Sequence, residues 1–173
     1  MRKLSTLLVL FFTLATFAAA QKVSTDYDHN ADFTKYKTYT WVRKPQASDP
    51  FMDQRIMDAI NAQLQAKGWQ LVNDRSEADA GVVANVTTRE RRSLDRFYGG
   101  GPWGYRWGGP VTTTVNTYDV GTLIVDIFDA GTKQAVWRGT SADTLSDKPD
   151  KNTKKLNKAV EKMFKSFPPK AKS

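Results

Sequence analysis

The sequence predicts an α+β domain: a two-layer sandwich in which a mixed or largely antiparallel sheet carries two amphipathic helices on one face. Three observations point there. Two apolar stripes at helical spacing lie far apart in the chain, around residues 50–67 and 150–167. Between and before them run segments of period-two alternation rich in Val, Ile, Thr and Tyr. Strands surrounding two separate amphipathic helices bury both kinds of apolar face only by stacking helices on a sheet.

The elements follow in order. Val23 to Tyr27 is short and β-rich, and Asp28-His29-Asn30-Ala31-Asp32 is dense in turn formers. Tyr36 to Val42 reads as a strand, with Tyr36, Thr38, Thr40 and Val42 on one face and Lys37, Tyr39 and Trp41 on the other. The first helix has an N-cap in Asp49 and Pro50 at its first position, where the missing N–H costs nothing. Met52, Ile56, Ala59, Ile60 and Leu64 form its buried stripe, and Gly68 suits a left-handed cap. Trp69 to Val72 follows as a short strand and Asn73 to Ala78 as a polar turn.

Ala80 to Thr88 alternates Val82, Ala84 and Val86 against Val83, Asn85 and Thr87, then runs into a charged surface extension, Arg89-Glu90-Arg91-Arg92. Residues 97–110 differ in kind: six glycines and two prolines among fourteen positions exclude a regular element. Three β segments come next, Val111 to Tyr118, Thr122 to Phe128 and Gln134 to Arg138, the last two joined by a hairpin turn at Asp129-Ala130-Gly131-Thr132 with Gly131 at positive φ. The last helix covers about Asp150 to Phe167. Leu156, Ala159, Val160, Met163, Phe164 and Phe167 form its apolar stripe, and Lys151, Lys155, Lys158, Lys162 and Lys165 line the other side.

Residues 1–20 have the pattern of a cleavable signal peptide: Arg2 and Lys3, an apolar run from Leu7 to Phe17, then Ala18-Ala19-Ala20. That run is shorter than the roughly 20 residues a bilayer span needs. The expectation is an exported protein, periplasmic or secreted, whose single domain occupies residues 21–173. The chain has no cysteine. That excludes disulfides, thiol catalysis, cysteine-ligated metals and a lipid anchor on an N-terminal Cys. The 26 Lys and Arg against 18 Asp and Glu give a net charge of +8, or +6 without Arg2 and Lys3. Such a charge favours colloidal solubility and allows peripheral contact with an anionic membrane or glycan. Export argues against nucleic acid as the partner.

Several blocks together resemble the bacterial domain-of-unknown-function family 4136. They are Asp26-Tyr27-Asp28, Ala31-Asp32-Phe33, Tyr36 to Trp41, Ile56 to Ile60, Lys67-Gly68-Trp69, Glu77 to Ala80, Gly121 to Asp126, Val136 to Gly139 and Phe167-Pro168-Pro169. The resemblance covers residues 23–169. It implies an envelope protein, in a family with many predicted lipoproteins, and it implies a fold but no reaction. The missing cysteine departs from the lipid-anchored members.

No assembled catalytic site emerges. Asp26, Asp28, Asn30 and Asp32 alternate as in a calcium loop, but Ala31 and Lys37 stand where the glycine and the bidentate glutamate belong, so Asx turns are expected. Gly99, Gly101 and Gly104 match a dinucleotide fingerprint formally, yet Pro102 and Trp103 prevent the helix that motif requires. His29 is the single histidine, and Ser141 lacks the glycines of a nucleophile elbow. Asp126 and Asp129 are the carboxylate pair a hydrolase would use. Asp126 shares a face with Ile124 and Phe128, and Asp129 begins a turn, so structural roles are expected. Neither a cofactor nor a metal ligand set is expected. The remaining candidates are Tyr98, Trp103, Tyr105, Arg106 and Trp107, whose rings suit sugars or a lipid interface and whose guanidinium suits an anionic group. The function predicted is a non-enzymatic envelope protein acting through protein or envelope contacts; the alternative is a glycan- or lipid-binding module built on that loop.

Overall fold

The computed structural model describes residues 22–98 and 111–169. Six strands form one mixed sheet in the order β1-β6-β5-β4-β2-β3. They are β1 (Lys22–Tyr27), β2 (Thr38–Arg43), β3 (Gln70–Leu71), β4 (Ala80–Tyr98), β5 (Val111–Asp129) and β6 (Ala135–Thr144). β2 runs parallel to both β3 and β4, and every other pairing is antiparallel. Two helices, α1 (Pro50–Ala66) and α2 (Pro149–Phe164), pack against each other and against the sheet. No helix among the described residues is long and apolar enough to cross a membrane.

The local chemistry explains the helix boundaries. The Asp49 carboxylate accepts the Phe51 backbone N–H at 3.0 Å, Pro50 opens α1, and Gly68 closes it at φ +85°. Ile56, Ile60 and Leu64 are the buried stripe. Tyr39 Oη and Trp41 Nε1 both donate to Asn61 Oδ1, at 2.9 and 3.0 Å, which ties α1 to β2. Burial pushes the Tyr39 phenol up to about 12. In α2, Ala159, Val160, Met163 and Phe164 face the core.

The helix-facing side of the sheet supplies the other half of the core: Val82 and Ala84 from β4, Leu123, Val125 and Ile127 from β5, Val136 and Trp137 from β6. Gly139 is required there, because a Cβ would lie 2.5 Å from Trp137 Cη2 and 2.8 Å from Met163 Sδ. On the opposite side Asp126 is buried beneath Arg138, whose Nε and Nη2 donate to its two oxygens at 2.5 and 3.1 Å.

The structure departs from the sequence expectations at definite points. Tyr36 is not in a strand: Phe33–Lys35 forms a 3₁₀ turn capped by Asp32, and Tyr36 follows it, buried. The expected alternation therefore starts only at Thr38. The segments Val111 to Tyr118 and Thr122 to Phe128 are one strand, continuous through Asp119-Val120-Gly121 and matched residue for residue with β4. β4 itself does not stop at Thr88 but continues through the charged stretch to Tyr98, so Phe97 and Tyr98 belong to a regular element after all. β6 is likewise longer than expected.

In the β5–β6 connection it is Lys133, at φ 61°, that takes the left-handed conformation, and not Gly131. The Asp129 carboxylate organises this turn by accepting the Gly131 and Thr132 N–H groups, both at 2.8 Å, which moves the reversal to Lys133. α2 ends at Phe164, so Phe167 reaches the core from beyond the helix. Lys155 is not on the solvent side with the other lysines: its ammonium reaches Thr144 O at 2.5 Å and Asp143 Oδ1 at 3.3 Å on β6.

Candidate functional site

β4 and β5 outlast the sheet that contains them. β2 leaves β4 at Val83, and β6 leaves β5 at Val120. From Glu90↔Asp119 to Tyr98↔Val111 the two strands pair only with each other. At about 3.3 Å per residue, these nine pairs form an arm roughly 30 Å long.

An isolated two-stranded ribbon is marginal in water, so local chemistry must support this one. β5 contributes Thr112, Thr113, Thr114, Val115 and Thr117, residue types that favour a pleated conformation. Asn116 donates to Asp95 across the ladder at 2.6 Å, and Arg92 meets Glu90 along its own strand at 3.1 Å. Both contacts lie in solvent, and each stabilises only weakly.

The two faces and edges of the arm differ. Leu94 and Val115 stand directly opposite each other on the side continuous with Val82 and Ala84, and are 63% and 56% exposed. Such an apolar pair is left mostly to solvent in the isolated chain. Arg89 and Arg91 lie on the other side with Tyr118. The β4 edge carries Arg89, Glu90, Arg91, Arg92 and Asp95, whereas residues 111–118 of β5 hold no charge. Charges on an exposed edge resist unwanted strand pairing, so the β5 edge is the more receptive one.

Of the residues singled out from sequence, Tyr98 ends β4 opposite Val111. Trp103, Tyr105, Arg106 and Trp107 lie outside the described residues, in the connection from Tyr98 to Val111. The β5 side of the arm was expected as the segment Val111 to Tyr118, but its β4 side beyond Thr88, and so the nine-pair ribbon, was missed because neither of its faces is buried. An apolar-polar alternation signals a strand only where one face meets a core.

The other candidates of the sequence resolve into structural roles. Asp28 Oδ1 accepts the Asn30 N–H at 2.8 Å and Asp32 Oδ1 accepts the Thr34 N–H at 2.9 Å, so both make the Asx turns expected of them. The His29 ring lies 4.4 Å from that of Tyr27, edge to face. Asp129 receives Lys35 Nζ at 2.5 Å and Tyr36 Oη at 2.9 Å, in addition to the two turn N–H groups. The Lys35 ammonium first, then the Thr132 N–H, hold its carboxyl far below the ordinary value of 3.8. A carboxylate so held is a poor proton donor near neutrality. Asp126 is likewise engaged by Arg138. Asp79 accepts the Lys37 and Thr38 N–H groups at 2.8 and 2.9 Å, joining the starts of β2 and β4.

Comparison with known proteins gives a family and a fold. Residues 23–169 match the domain of unknown function DUF4136. A DUF4136 family protein from Bacteroides thetaiotaomicron is similar in structure at a TM-score of 0.53 and 18% identity, over 86% of this chain and 96% of that one. A PelC dodecamer from Paraburkholderia phytofirmans matches at 0.53 and 13% identity, over 89% and 100%. A PDZ domain protein from Parabacteroides distasonis matches at 0.56 and 12% identity over 86% of this chain, which spans only 35% of that protein. At these identities the structural likeness concerns the fold alone. Comparison with curated proteins yields no match.

Proposed function

The chain belongs to the DUF4136 family, and from that premise we propose that it is a non-catalytic protein of the cell envelope, exported after loss of residues 1–20, that works through contacts made by its β4–β5 arm. The observation that carries this reading is the arm itself: nine strand pairs without a third strand, an exposed Leu94–Val115 pair, and a β5 edge without charge from Val111 to Tyr118. A fold gains nothing from extending a marginal ribbon into water, whereas a binding surface gains reach. The carboxylates most suited to catalysis support the same reading, because Asp126 and Asp129 hold Arg138 and a turn in place.

A second reading gives the contact a chemistry. The arm leads to a connection bearing Trp103, Tyr105 and Trp107 beside Arg106. Indole and phenol rings stack on sugars and settle at lipid interfaces, and a neighbouring guanidinium favours an anionic headgroup or acidic glycan. Co-sedimentation with purified cell wall and with vesicles of outer-membrane lipid, at low and high salt, tests it. The expected result is binding that survives high salt and falls at least tenfold in the W103A/Y105A/W107A variant, with unchanged thermal melting. Binding carried by net charge alone would disappear at high salt in both proteins. Absence of binding under all conditions would refute the glycan and lipid reading and leave a protein partner for the arm.

A further inference from the structure

At the root of the arm, a cleft of about 210 Å³ opens between the N-terminal halves of α1 and α2 and the strands β4, β5 and β6. Met52, Ile56, Val86, Leu123, Leu156 and Ala159 form its walls. Ser141 lies among them. It pairs with Leu123 across the β5–β6 ladder, so it is on the helix-facing side of the sheet, and it is only 6% exposed. Its hydroxyl has no hydrogen-bond partner among the described residues. A hydroxyl so enclosed, in an otherwise apolar wall, is the kind of group that recognises one polar atom of a ligand.

The mouth is polar, and its lysine is already paired. Asp143 faces Lys155 at 3.3 Å, and Asp49 caps α1 with Arg55 4.0 Å away. Asn152 is engaged at both ends of its amide by the Ser146 backbone, at 2.7 and 2.8 Å. With Asp49 and Asp143 in the lining against one lysine that is already paired, the cleft disfavours an anionic headgroup. Size narrows the class further. A cavity of about 150 Å³ holds benzene, while drug-sized ligands occupy upwards of roughly 300 Å³. We infer that the cleft binds a small neutral amphiphile, a single ring or short chain carrying one hydroxyl or carbonyl oxygen, with that oxygen bonded to Ser141 and the apolar body against Leu123 and Leu156.

The inference does not depend on the arm or its loop. Backbone-amide NMR of the purified protein tests it with 4-methylphenol and toluene, which match in shape and differ in the hydroxyl. The account predicts that 4-methylphenol shifts the amides of Leu123, Ser141 and Leu156, and that toluene binds roughly three- to tenfold more weakly, the range of one neutral hydrogen bond. Ser141→Ala removes the difference while keeping a folded spectrum and binding of both. Thr88→Trp, at an exposed position on the cleft lining, weakens both together. Absence of shifts at low-millimolar compound overturns the site. Equal binding of the two compounds by the wild type, or an unchanged preference in Ser141→Ala, overturns the role of the hydroxyl and with it the ligand class.

Discussion

Replacing Phe167 by Ala is expected to lower the unfolding free energy by about 3–5 kcal/mol, the range for removing a large aromatic side chain from a closed core. Phe167 is 2% exposed, and its ring centre lies 5.2 Å from Trp69, 5.3 Å from Trp137, 5.3 Å from Phe164 and 6.0 Å from Phe33. These rings come from the segment before β2, the link from α1 to β3, β6, and α2 with its C-terminal extension. The residue thus joins parts of the chain that share no strand pairing. Tilted and edge-on ring contacts add to the area each ring buries. Urea unfolding followed by tryptophan fluorescence measures the loss. Phe51→Ala is the control: at 74% exposed it should change stability by no more than about 0.5 kcal/mol. A loss below about 1 kcal/mol for Phe167→Ala would mean that the aromatic cluster does not hold the C-terminal extension to the core.

Asp129→Asn should produce the second-largest effect, about 2–3 kcal/mol, because it takes the charged acceptor from the buried Tyr36 hydroxyl and from two part-buried turn N–H groups. The carboxylate takes Tyr36 Oη, the Gly131 and Thr132 N–H groups and Lys35 Nζ. The lysine is half-exposed, so screening keeps its share small, and the loss comes mainly from the other three. The sign of the pH dependence follows. Folding lowers the Asp129 carboxyl below its ordinary 3.8, so the stabilisation is fully present above that value and is lost as the pH falls toward the folded one. Wild-type protein should therefore lose more stability than Asp129→Asn between about pH 5 and pH 2. Parallel acid profiles for the two proteins would show that Asp129 does not contribute to acid sensitivity.

What the sequence revealed, and what it concealed, follows from where each signal is stored. The helices were legible because their determinants are local: Asp49-Pro50 at one end of α1, Gly68 at the other, and apolar residues at helical spacing between. The helix-facing sides of β4 and β5 were legible for the same reason, since Val82, Ala84 and Val86, and Leu123, Val125 and Ile127, repeat at period two. The β5 half of the arm was read as the segment Val111 to Tyr118, but the β4 half was concealed because it is stabilised by its partner strand and not by a core. A register running from Ala80↔Asp129 to Tyr98↔Val111 is a relation between distant segments that neither segment states alone. The turn at Asp129 was recognised, but the residue at positive φ was misplaced, because the carboxylate and not the glycine decides the path. Of the candidate site, the aromatic composition of residues 97–110 was evident, while the platform leading to it was not. The cleft behind Ser141 was invisible for a further reason: its lining is gathered from positions between 47 and 159.

The central claim is that the arm makes the protein's functional contacts, and shortening the arm tests it most directly. Residues 91–118 are replaced by Asn-Gly, which closes Glu90 onto Asp119 with a two-residue hairpin turn and retains the Leu145 N–H bond to Asp119 O. None of the described residues removed belongs to the core, so the shortened protein should melt within a few degrees of the full one. Each is then used to capture partners from solubilised envelope. The account predicts that the full protein retains specific partners or envelope material and that the shortened protein, equally folded, retains none of it. Undiminished capture by the folded, shortened protein would contradict the account and move the functional surface to the sheet or the helices.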